Sequence, residues 1–309
     1  MTDPTGSWPT WRDAWTAALY GPDGFFVRSR PADHFRTSVH ASVLFADAVH
    51  ELARRADLRR VVDLGAGGGE LLRHLNSADQ DLHLVGVDLA PRPDDLPAAV
   101  DWRADLPEQV DGLVIANEWL DNIPCDVVEA DQDGVARTVH VEPSTGAERL
   151  GAPCTDPWLG RWWSLSEPGT RAEVGSSRDA AWSDVVGRLG RGVAVAMDYG
   201  HTRATRPAFG SLTSYQHGRE VPAVPDASRD VTAHVAVDSL PADRVLDQRQ
   251  ALGLLGISGQ RPPLDRAHDD PRGYLRALSA ATEAAELTAR GGLGDFVWVV
   301  CARGVPLPL

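Results

Sequence analysis

The sequence predicts an α/β fold of the Rossmann-like kind, with a mostly parallel sheet and helices on both faces. The first observation is the stretch from Val61 to Gly69, which reads V-V-D-L-G-A-G-G-G. A buried strand that ends in an acid and alternate glycines can turn sharply into a helix while a ligand lies against its backbone. The second observation is that later short apolar runs alternate with helical segments, as in parallel sheets covered on both faces.

Length, charge and cysteine content limit the class of protein. The chain has 309 residues, 43% of them hydrophobic, and a formal net charge of −14, so it is long enough to bury a large core. A net acidic surface argues against broad binding to nucleic acid or anionic membranes, because phosphate contacts need clustered positive charge. The 3 cysteines share no C-x-x-C spacing, so we expect buried thiols in a reducing compartment and no metal site.

The N-terminal region is expected to be helical. Apolar residues recur at helical spacing from Thr10 to Tyr20, where Gly21 ends the helix, and again from Phe35 to Leu52. We therefore assign residues 1–58 to a helical lid segment over the site. The first residues contain neither the basic nor the apolar region of a secretion signal, and no run of eighteen apolar residues follows, so we expect a cytoplasmic protein.

The strands of the main domain are expected at regular intervals after the glycine stretch. They run from Leu82 to Val87, Val100 to Arg103, Gly112 to Ala116, Gly192 to Met197 and Phe296 to Cys301. In such sheets the ligand lies beyond the carboxyl ends of the strands, near the point where strand order reverses. The candidate cofactor-binding residues at these ends are Asp63, Gly65, Ala66, Gly67, Gly69, Asp88, Leu89, Asp105, Leu106 and Asn117.

Residues 59–309 are assigned to one cofactor-binding domain with two insertions, at about 125–190 and 201–240. Val127 to Val141 reads as a hairpin, and Arg171 to Leu189 reads as a helix. Ser211 to Gln216 is a possible strand in the second insertion. Three tryptophans of the first insertion either line an acceptor pocket or fill a core, and the core is the more common role. They are Trp158, Trp162 and Trp163.

The glycine spacing favours S-adenosylmethionine as the cofactor. A dinucleotide site shows G-x-G-x-x-G, whereas this loop reads G-x-G-x-G behind Asp63. That pattern suits a smaller ligand without a pyrophosphate but with a charged amino-acid end. Asp63 and the glycine backbone would hold the methionine end, Asp88 the ribose hydroxyls and Asp105 the adenine amino group. Any one of these acids alone is more simply explained as an ordinary loop carboxylate. Three acids at successive strand ends indicate a cofactor-binding site.

The chain also resembles the MidA-like branch of class I S-adenosylmethionine-dependent methyltransferases. The resemblance rests on G-F-F and F-R-T-S-V-H-A-S, the glycine stretch, A-N-E-W-L-D-N-I-P, D-Y-G-H, and G-S-L-T-S-Y with R-D-V-T-A-H-V, between about residues 24 and 240. It implies the class I methyltransferase fold. Mitochondrial members are regarded as protein-arginine methyltransferases that support assembly of respiratory complex I. One departure is His40, which stands where the family usually has a glutamate.

Methyl transfer requires a nucleophile aligned with the donor methyl group and, where needed, a group that holds or removes a proton. A guanidinium acceptor would suit two carboxylates, which grip it with paired hydrogen bonds. The predicted catalytic residues are Glu118, Asp198 and His201, and the predicted substrate-binding residues are Trp119, Asp121 and Asp230. Helix capping is the competing role for the last two acids; for Asp230 it would be the N-cap of a helix starting near Val231.

The sequence thus leads to a methyltransferase that converts S-adenosylmethionine to S-adenosylhomocysteine, without a metal. The acceptor is either an arginine side chain of a protein partner or a small molecule of secondary metabolism. A non-catalytic assembly factor that only binds the cofactor is the alternative from another class. A nicotinamide-dependent oxidoreductase is disfavoured by the glycine spacing. Neither the identity of the acceptor nor the oligomeric state follows from the sequence.

Overall fold

The structure is a computed structural model that describes residues 8–28, 42–216 and 218–309. The predicted helix from Phe35 to Leu52 is therefore described only from Ser42 onward, and His40 lies outside the described residues. The α-helices, in chain order, are α1 Trp11–Tyr20, α2 Phe25–Arg28, α3 Val43–Arg55, α4 Glu70–Ala78, α5 Pro157–Trp162, α6 Ser176–Arg188, α7 Gln248–Leu254, α8 Arg266–Asp269 and α9 Pro271–Leu287.

The order and direction of the strands define the topology of the fold. In chain order they are β1 Arg60–Leu64, β2 His83–Val87, β3 Asp101–Arg103, β4 Val110–Asn117, β5 Asp126–Ala130, β6 Ala136–Val141, β7 Glu148–Pro153, β8 Arg171–Val174, β9 Leu189–Asp198, β10 Gly200–His201, β11 Thr213–Gln216, β12 Arg219–Val221, β13 Asp230–Thr232, β14 Val235–Ala236, β15 Arg244–Asp247 and β16 Val297–Arg303. Each strand predicted after the glycine stretch is present, and no end is shifted by more than three residues.

The chain divides into two compact units, each built from three segments. The first, called the sheet unit below, comprises Arg36–Trp119, Val185–Tyr199 and Ala242–Leu309. The second, called the insertion unit, comprises Met1–Phe35, Leu120–Asp184 and Gly200–Pro241. Most of the predicted insertions therefore lie in one unit with the N-terminal helix, while α3 belongs to the sheet unit. The lid role of residues 1–58 stays a prediction.

The sheet unit contains a seven-stranded sheet in the order β15-β16-β9-β4-β1-β2-β3. The pairs β1–β2, β1–β4, β2–β3 and β4–β9 are parallel, and β16 runs antiparallel to both of its neighbours. Strand order reverses at β1, which lies between β2 and β4, so the carboxyl end of β1 is where such a sheet binds its ligand. The mostly parallel α/β fold predicted from the sequence is confirmed.

The core of the sheet unit joins the strands to their helices. Phe45 and Leu52 of α3 and Leu71 of α4 belong to one buried cluster with Val61 of β1. Trp298 of β16 is fully buried in the same cluster. Its indole Nε1 donates to the Gln248 side chain at 3.1 Å. This pairing satisfies the indole N–H that burial would otherwise leave without a partner.

The insertion unit is built from short, mainly antiparallel sheets. The largest has the order β7-β6-β5-β8, a second has the order β12-β11-β13, and β10 pairs with β14. The predicted hairpin from Val127 to Val141 is present as β5 and β6. Helix α1 begins after Thr10, whose hydroxyl accepts from the Asp13 N–H, and it buries Trp11 and Trp15 against Val127 and Val139 of that hairpin.

One local prediction is wrong, and helix capping, the competing role for Asp230 and Asp121, is not found among the described residues. The predicted helix from Arg171 to Leu189 begins only at Ser176, because Arg171–Val174 pairs with β5 as an edge strand. Asp230 is not a helix N-cap, since it begins strand β13. Asp121 lies in a turn and caps no helix among the described residues. Long-range strand pairing overrides local propensity in the first two cases.

Two further features bear on the sequence-based expectations. Cys125 and Cys301 are buried, but Cys154 is only half-buried, so the expectation of three buried thiols is wrong for that residue. Among the helices that the structure describes, none combines the length and the apolar character needed to cross a membrane.

Candidate cofactor site

The loop between β1 and α4 owes its shape to three alternate glycines. Gly65, Gly67 and Gly69 have φ angles of 77°, 54° and 78°. These values lie in the left-handed region, which side chains with a Cβ atom rarely adopt. The chain can therefore leave the strand and enter the helix within five residues. This explains why the sequence places glycine at every second position.

The three glycines differ in what surrounds them. A Cβ atom on Gly65 would lie 3.0 Å from Cδ1 of Trp119, and one on Gly69 would lie 2.7 Å from Cδ1 of Leu96. A Cβ atom on Gly67 would meet nothing within 4 Å. Gly65 and Gly69 are thus held by packing inside the unit. Gly67 presents bare backbone to open space, which is the property a ligand-binding position needs.

Asp88 follows β2 and holds the tip of the glycine loop. The parallel register pairs Leu64 with Val87, so the two strands end side by side. One carboxyl oxygen of Asp88 accepts from the Gly67 N–H at 2.7 Å, and the other accepts from the Ala90 N–H at 2.8 Å. Burial raises the pKa of Asp88, against the opposing effect of these N–H donors. Asp88 thus joins the end of the second strand to the glycine loop by a direct hydrogen bond.

Asp63 is a buried acid next to this loop. Its side chain lies on β1 and only 5% of the residue is exposed. Burial, together with the negative charges of Asp88 and Glu70, raises the pKa of Asp63 to about 8. The carboxyl group is therefore mostly protonated at neutral pH in the ligand-free protein. A cation placed beside it would favour the ionised form.

The end of β4 contributes a second group of polar side chains. The Asn117 side-chain N–H donates to a Glu118 carboxylate oxygen at 3.1 Å. The side-chain oxygen of Asn117 is buried, and no described residue donates a hydrogen bond to it. A buried acceptor without a donor is costly, so this atom is a natural contact for a ligand hydroxyl or amine.

Glu118 has an unusual backbone. Its φ angle is 51°, which is uncommon for a residue other than glycine and concentrates at functional sites. Its N–H donates to the Met197 carbonyl at 2.8 Å, so the strained residue is fixed to β9. The sequence offered no signal for this strain, because glutamate has no preference for the left-handed region.

Asp198 lies at the corresponding position of the neighbouring strand. It ends β9 and is 2% exposed. The register pairs Asn117 with Met197, so Glu118 and Asp198 directly follow paired residues on adjacent parallel strands. The two acids therefore share one edge of the sheet, as the sequence predicted from their positions after apolar runs.

The other predicted cofactor-binding residues differ in exposure and in their contacts. Ala66 is buried in the loop, while the Leu89 side chain is 69% exposed. Asp105 is exposed in the turn after β3, and no hydrogen bond joins it to the glycine loop among the described residues. The Leu106 carbonyl accepts from the Arg188 guanidinium at 2.8 Å. The structure thus brings Asp63, Gly67 and Asp88 together more closely than it brings Asp105 to any of them.

Asp121 and Asp230 belong to the insertion unit, where each makes a buried hydrogen bond. Asp121 accepts from the Thr232 hydroxyl at 2.8 Å, and Asp230 accepts from the Asn122 side-chain N–H at 2.9 Å. All four side chains are buried. Sequence reasoning missed the partners Asn122 and Thr232, because only the pairing of distant segments brings them to the two acids.

His201 is also in the insertion unit and is 5% exposed. An Arg206 N–H lies 2.8 Å from its Nδ1, and because a guanidinium only donates, Nδ1 accepts and the proton of the neutral ring sits on Nε2. Burial lowers the pKa of His201 to about 3, and the charge of Arg206 contributes. His201 therefore remains neutral at physiological pH, and its predicted role as a proton acceptor stays a prediction.

No cluster of metal-ligating side chains is found within residues 8–28, 42–216 and 218–309. The groups at the carboxyl edge of the sheet instead suit an organic cation with hydroxyl groups. A buried acid with a raised pKa, bare backbone at Gly67 and a buried acceptor on Asn117 all meet that description. The fit to S-adenosylmethionine, with its ammonium, sulfonium and ribose groups, rests on these three features.

Comparison with known proteins defines the class and then the family. The class I methyltransferase fold is shared with two crystal structures from Burkholderia thailandensis, each matching with a TM-score of 0.78 and 25% identity. One, described as a "likely methyl transferase", is bound to S-adenosyl-homocysteine; the match covers 97% of this chain and 89% of that one. The other is a native structure from the same superfamily, matched over 97% and 88%.

A family model described as "Putative S-adenosyl-L-methionine-dependent methyltransferase" matches residues 42–256. The chain belongs to this family, which confirms the resemblance to MidA-like methyltransferases. The cofactor named by the family, S-adenosylmethionine, is the one predicted from the sequence. A search of curated proteins gives no significant match.

Proposed function

We propose that this protein transfers a methyl group from S-adenosylmethionine to a nucleophile, with the cofactor held at the carboxyl edge of the sheet unit. The observation that carries the proposal is the loop tip, where Gly67 exposes bare backbone and Asp88 accepts its N–H at 2.7 Å. The same carboxylate is suited to accept from ribose hydroxyls, since each oxygen has a further lone pair. Asp63 is suited to the ammonium group of the methionine end.

Asp63 and Asn117 support this orientation. Asp63 is protonated at neutral pH while the site holds no cation, because burial raises its pKa to about 8. An ammonium group nearby favours the carboxylate, so Asp63 loses its proton as the cofactor binds. The buried oxygen of Asn117, which accepts no hydrogen bond from the described residues, gains a donor in the same event.

We propose further that the methyl acceptor is an arginine side chain of a protein partner. Glu118 and Asp198 follow paired positions on β4 and β9, so two carboxylates stand side by side at one sheet edge. Paired carboxylates hold a guanidinium by charge-assisted hydrogen bonds and keep its orientation fixed. Bound S-adenosylmethionine supplies the activated methyl group; Glu118 and Asp198 orient the acceptor and take up the proton that it loses. The substrate-binding roles expected for Trp119, Asp121 and Asp230 and the catalytic role expected for His201 stay predictions.

A labelling experiment tests the proposal. The purified protein is incubated with methyl-labelled S-adenosylmethionine and a cell lysate, and label is measured in the protein and small-molecule fractions. We expect label in protein, recovered as methylarginine after acid hydrolysis, and its loss with Glu118→Gln. Glu108→Gln, at an exposed position between β3 and β4, is the matched control and should retain transfer.

The other outcomes of the labelling experiment would each lead to a different conclusion. Label confined to small molecules would overturn the arginine acceptor while keeping methyl transfer. Absence of transfer to either fraction, in a protein that binds the cofactor, would favour a non-catalytic assembly factor. Equal labelling by the wild type and Glu118→Gln would remove Glu118 from the catalytic group.

A further inference from the structure

A cavity of about 550 Å³ in the insertion unit is lined by arginine and tryptophan side chains. Helix α5 and the residues after it supply Arg161, Trp162 and Trp163. The turn after β10 supplies Arg203 and Arg206. Glu167 is the one acid among the described lining residues, so the lining is positive in a chain whose net charge is −14.

Two of these arginines stack on one tryptophan. The guanidinium carbon of Arg161 lies 4.9 Å from the Trp162 ring centre, and that of Arg203 lies 5.6 Å from it. The Arg203 guanidinium also donates to the Arg161 carbonyl. These contacts hold two like charges on a single indole. No carboxylate within the described ranges forms a salt bridge with either of them.

Arg206, the third arginine of the cavity, is held in place by an ion pair and an aromatic contact. Arg206 donates to the Asp238 carboxylate at 2.6 Å, and its side chain is 9% exposed. Its guanidinium lies 5.4 Å from the Trp163 ring centre. The Asp238 carboxylate accepts in addition from the Arg203 backbone N–H at 2.8 Å. The buried Nε of Arg206 finds no acceptor among the residues described.

These features distinguish the cavity from an ordinary solvated surface. Two guanidinium groups on one ring repel each other, and the repulsion is relieved when an anion binds both. A guanidinium presents a planar fork of donors that matches the oxygens of a carboxylate or phosphate. The buried Nε is a further donor without an acceptor, and such groups are rare because they cost free energy.

We propose that this arginine-tryptophan cavity binds a small organic anion through a carboxylate or phosphate group, with Arg161 and Arg203 as the direct ligands. Trp162 holds the two guanidinium groups in place, and Arg206 with Asp238 positions the turn that carries Arg203. The aromatic walls suit a ligand with an apolar or planar body next to its charged group. The proposal stands independently of the methyl transfer proposed above.

Calorimetric titration at constant ionic strength tests the site with two probes, inorganic pyrophosphate and citrate. We expect at least one probe to bind at a single site. The double variant Arg161→Gln/Arg203→Gln should weaken that binding by about tenfold or more, because two charge-assisted contacts are lost. Arg219→Gln, an exposed arginine on β12 in the same unit, is the matched control and should change the affinity less than about twofold.

The two probes separate the possible sources of the anion. Tighter binding of pyrophosphate assigns the site to a phosphate group, and tighter binding of citrate assigns it to a carboxylate. The absence of binding for both probes overturns the proposal. Equal weakening by Arg219→Gln also overturns it, because the effect then reflects overall charge. Circular dichroism and thermal melting of the double variant verify that it is folded.

Discussion

The two units of this protein concentrate opposite charges in their candidate sites. At the carboxyl edge of the sheet unit, the negative charge of Asp88 disfavours ionisation of Asp63, and burial raises the pKa of both acids. In the insertion unit, the guanidinium groups of Arg161 and Arg203 both lie against the ring of Trp162. We expect the first arrangement to bind a cation and the second to bind an anion. The net charge of −14 therefore says little about what either site binds, because local placement sets the field.

The largest expected effect comes from the open glycine. Gly67→Arg should abolish S-adenosylmethionine binding, a loss of more than about 100-fold, because the new side chain fills the space that the cofactor needs. Equilibrium dialysis with labelled cofactor measures the loss. Gly256→Arg is the matched control, since Gly256 is also left-handed, with φ of 87°, and also has nothing within 4 Å. Unchanged binding by Gly67→Arg would place the cofactor elsewhere.

The next effect follows from the protonation of Asp63. Because its pKa is raised to about 8, binding of the cationic cofactor must release one proton at neutral pH. Affinity should therefore rise by about tenfold per pH unit between roughly pH 6 and pH 7.5. Titrations in buffers of different ionisation enthalpy measure the proton release. Asp63→Asn should bind more weakly and without this pH dependence; the same slope in both proteins would disprove the assignment of Asp63.

A smaller effect distinguishes Asp88 from Asp105. Asp88→Asn should weaken cofactor binding by about tenfold, because the amide replaces one of the two acceptors that hold Gly67 and Ala90. Asp105→Asn should cost less, since Asp105 is exposed. Dissociation constants of both variants, measured side by side, give the order. The reverse order would mean that the adenine contact outweighs the contact to the loop and ribose.

The smallest effect is on stability. The folded-state pKa of Asp63, about 8, lies above the ordinary value of 3.8, so the folded protein binds more protons between these values. The free energy of unfolding of the ligand-free protein should therefore fall as pH rises from about 4 to about 8. Asp63→Asn removes this loss and should raise the melting temperature by several degrees at about pH 8.5.

Thermal melting at two pH values checks the stability prediction. Little difference is expected near pH 3, where the carboxyl is mostly protonated in both the folded and the unfolded state. A wild type that is more stable than Asp63→Asn at high pH would contradict the buried, partly protonated carboxyl. Such a result would mean that a cationic partner stabilises Asp63 in the ligand-free protein.

The comparison of the two units also shows where sequence reasoning succeeds. In the sheet unit, apolar strands of the right length and alternate glycines are local signals, and they located β1 and the loop that holds Gly67. The rule that parallel strands end at one edge placed Asp88 near this loop, but its hydrogen bond with the Gly67 N–H is seen only in the structure. In the insertion unit, short antiparallel strands are defined by distant partners. The local sequence pattern therefore predicted a helix at Arg171–Val174, which is a strand in the structure.

Other features had no local signal at all. The left-handed backbone of Glu118 depends on its contact with β9, which only the folded chain creates. The stacking of Arg161 and Arg203 on Trp162 joins two segments about forty residues apart, so neither segment reveals it alone. Such sites depend on tertiary contacts between residues that are individually ordinary.

A crystal structure of the protein with bound S-adenosylhomocysteine tests the central claim most directly. We expect the nucleoside to lie against the Gly67 backbone, with its ribose hydroxyls on the Asp88 carboxylate and its amino group beside Asp63. Density for the nucleoside at any other place in the protein, with the glycine loop free of ligand, would contradict the account.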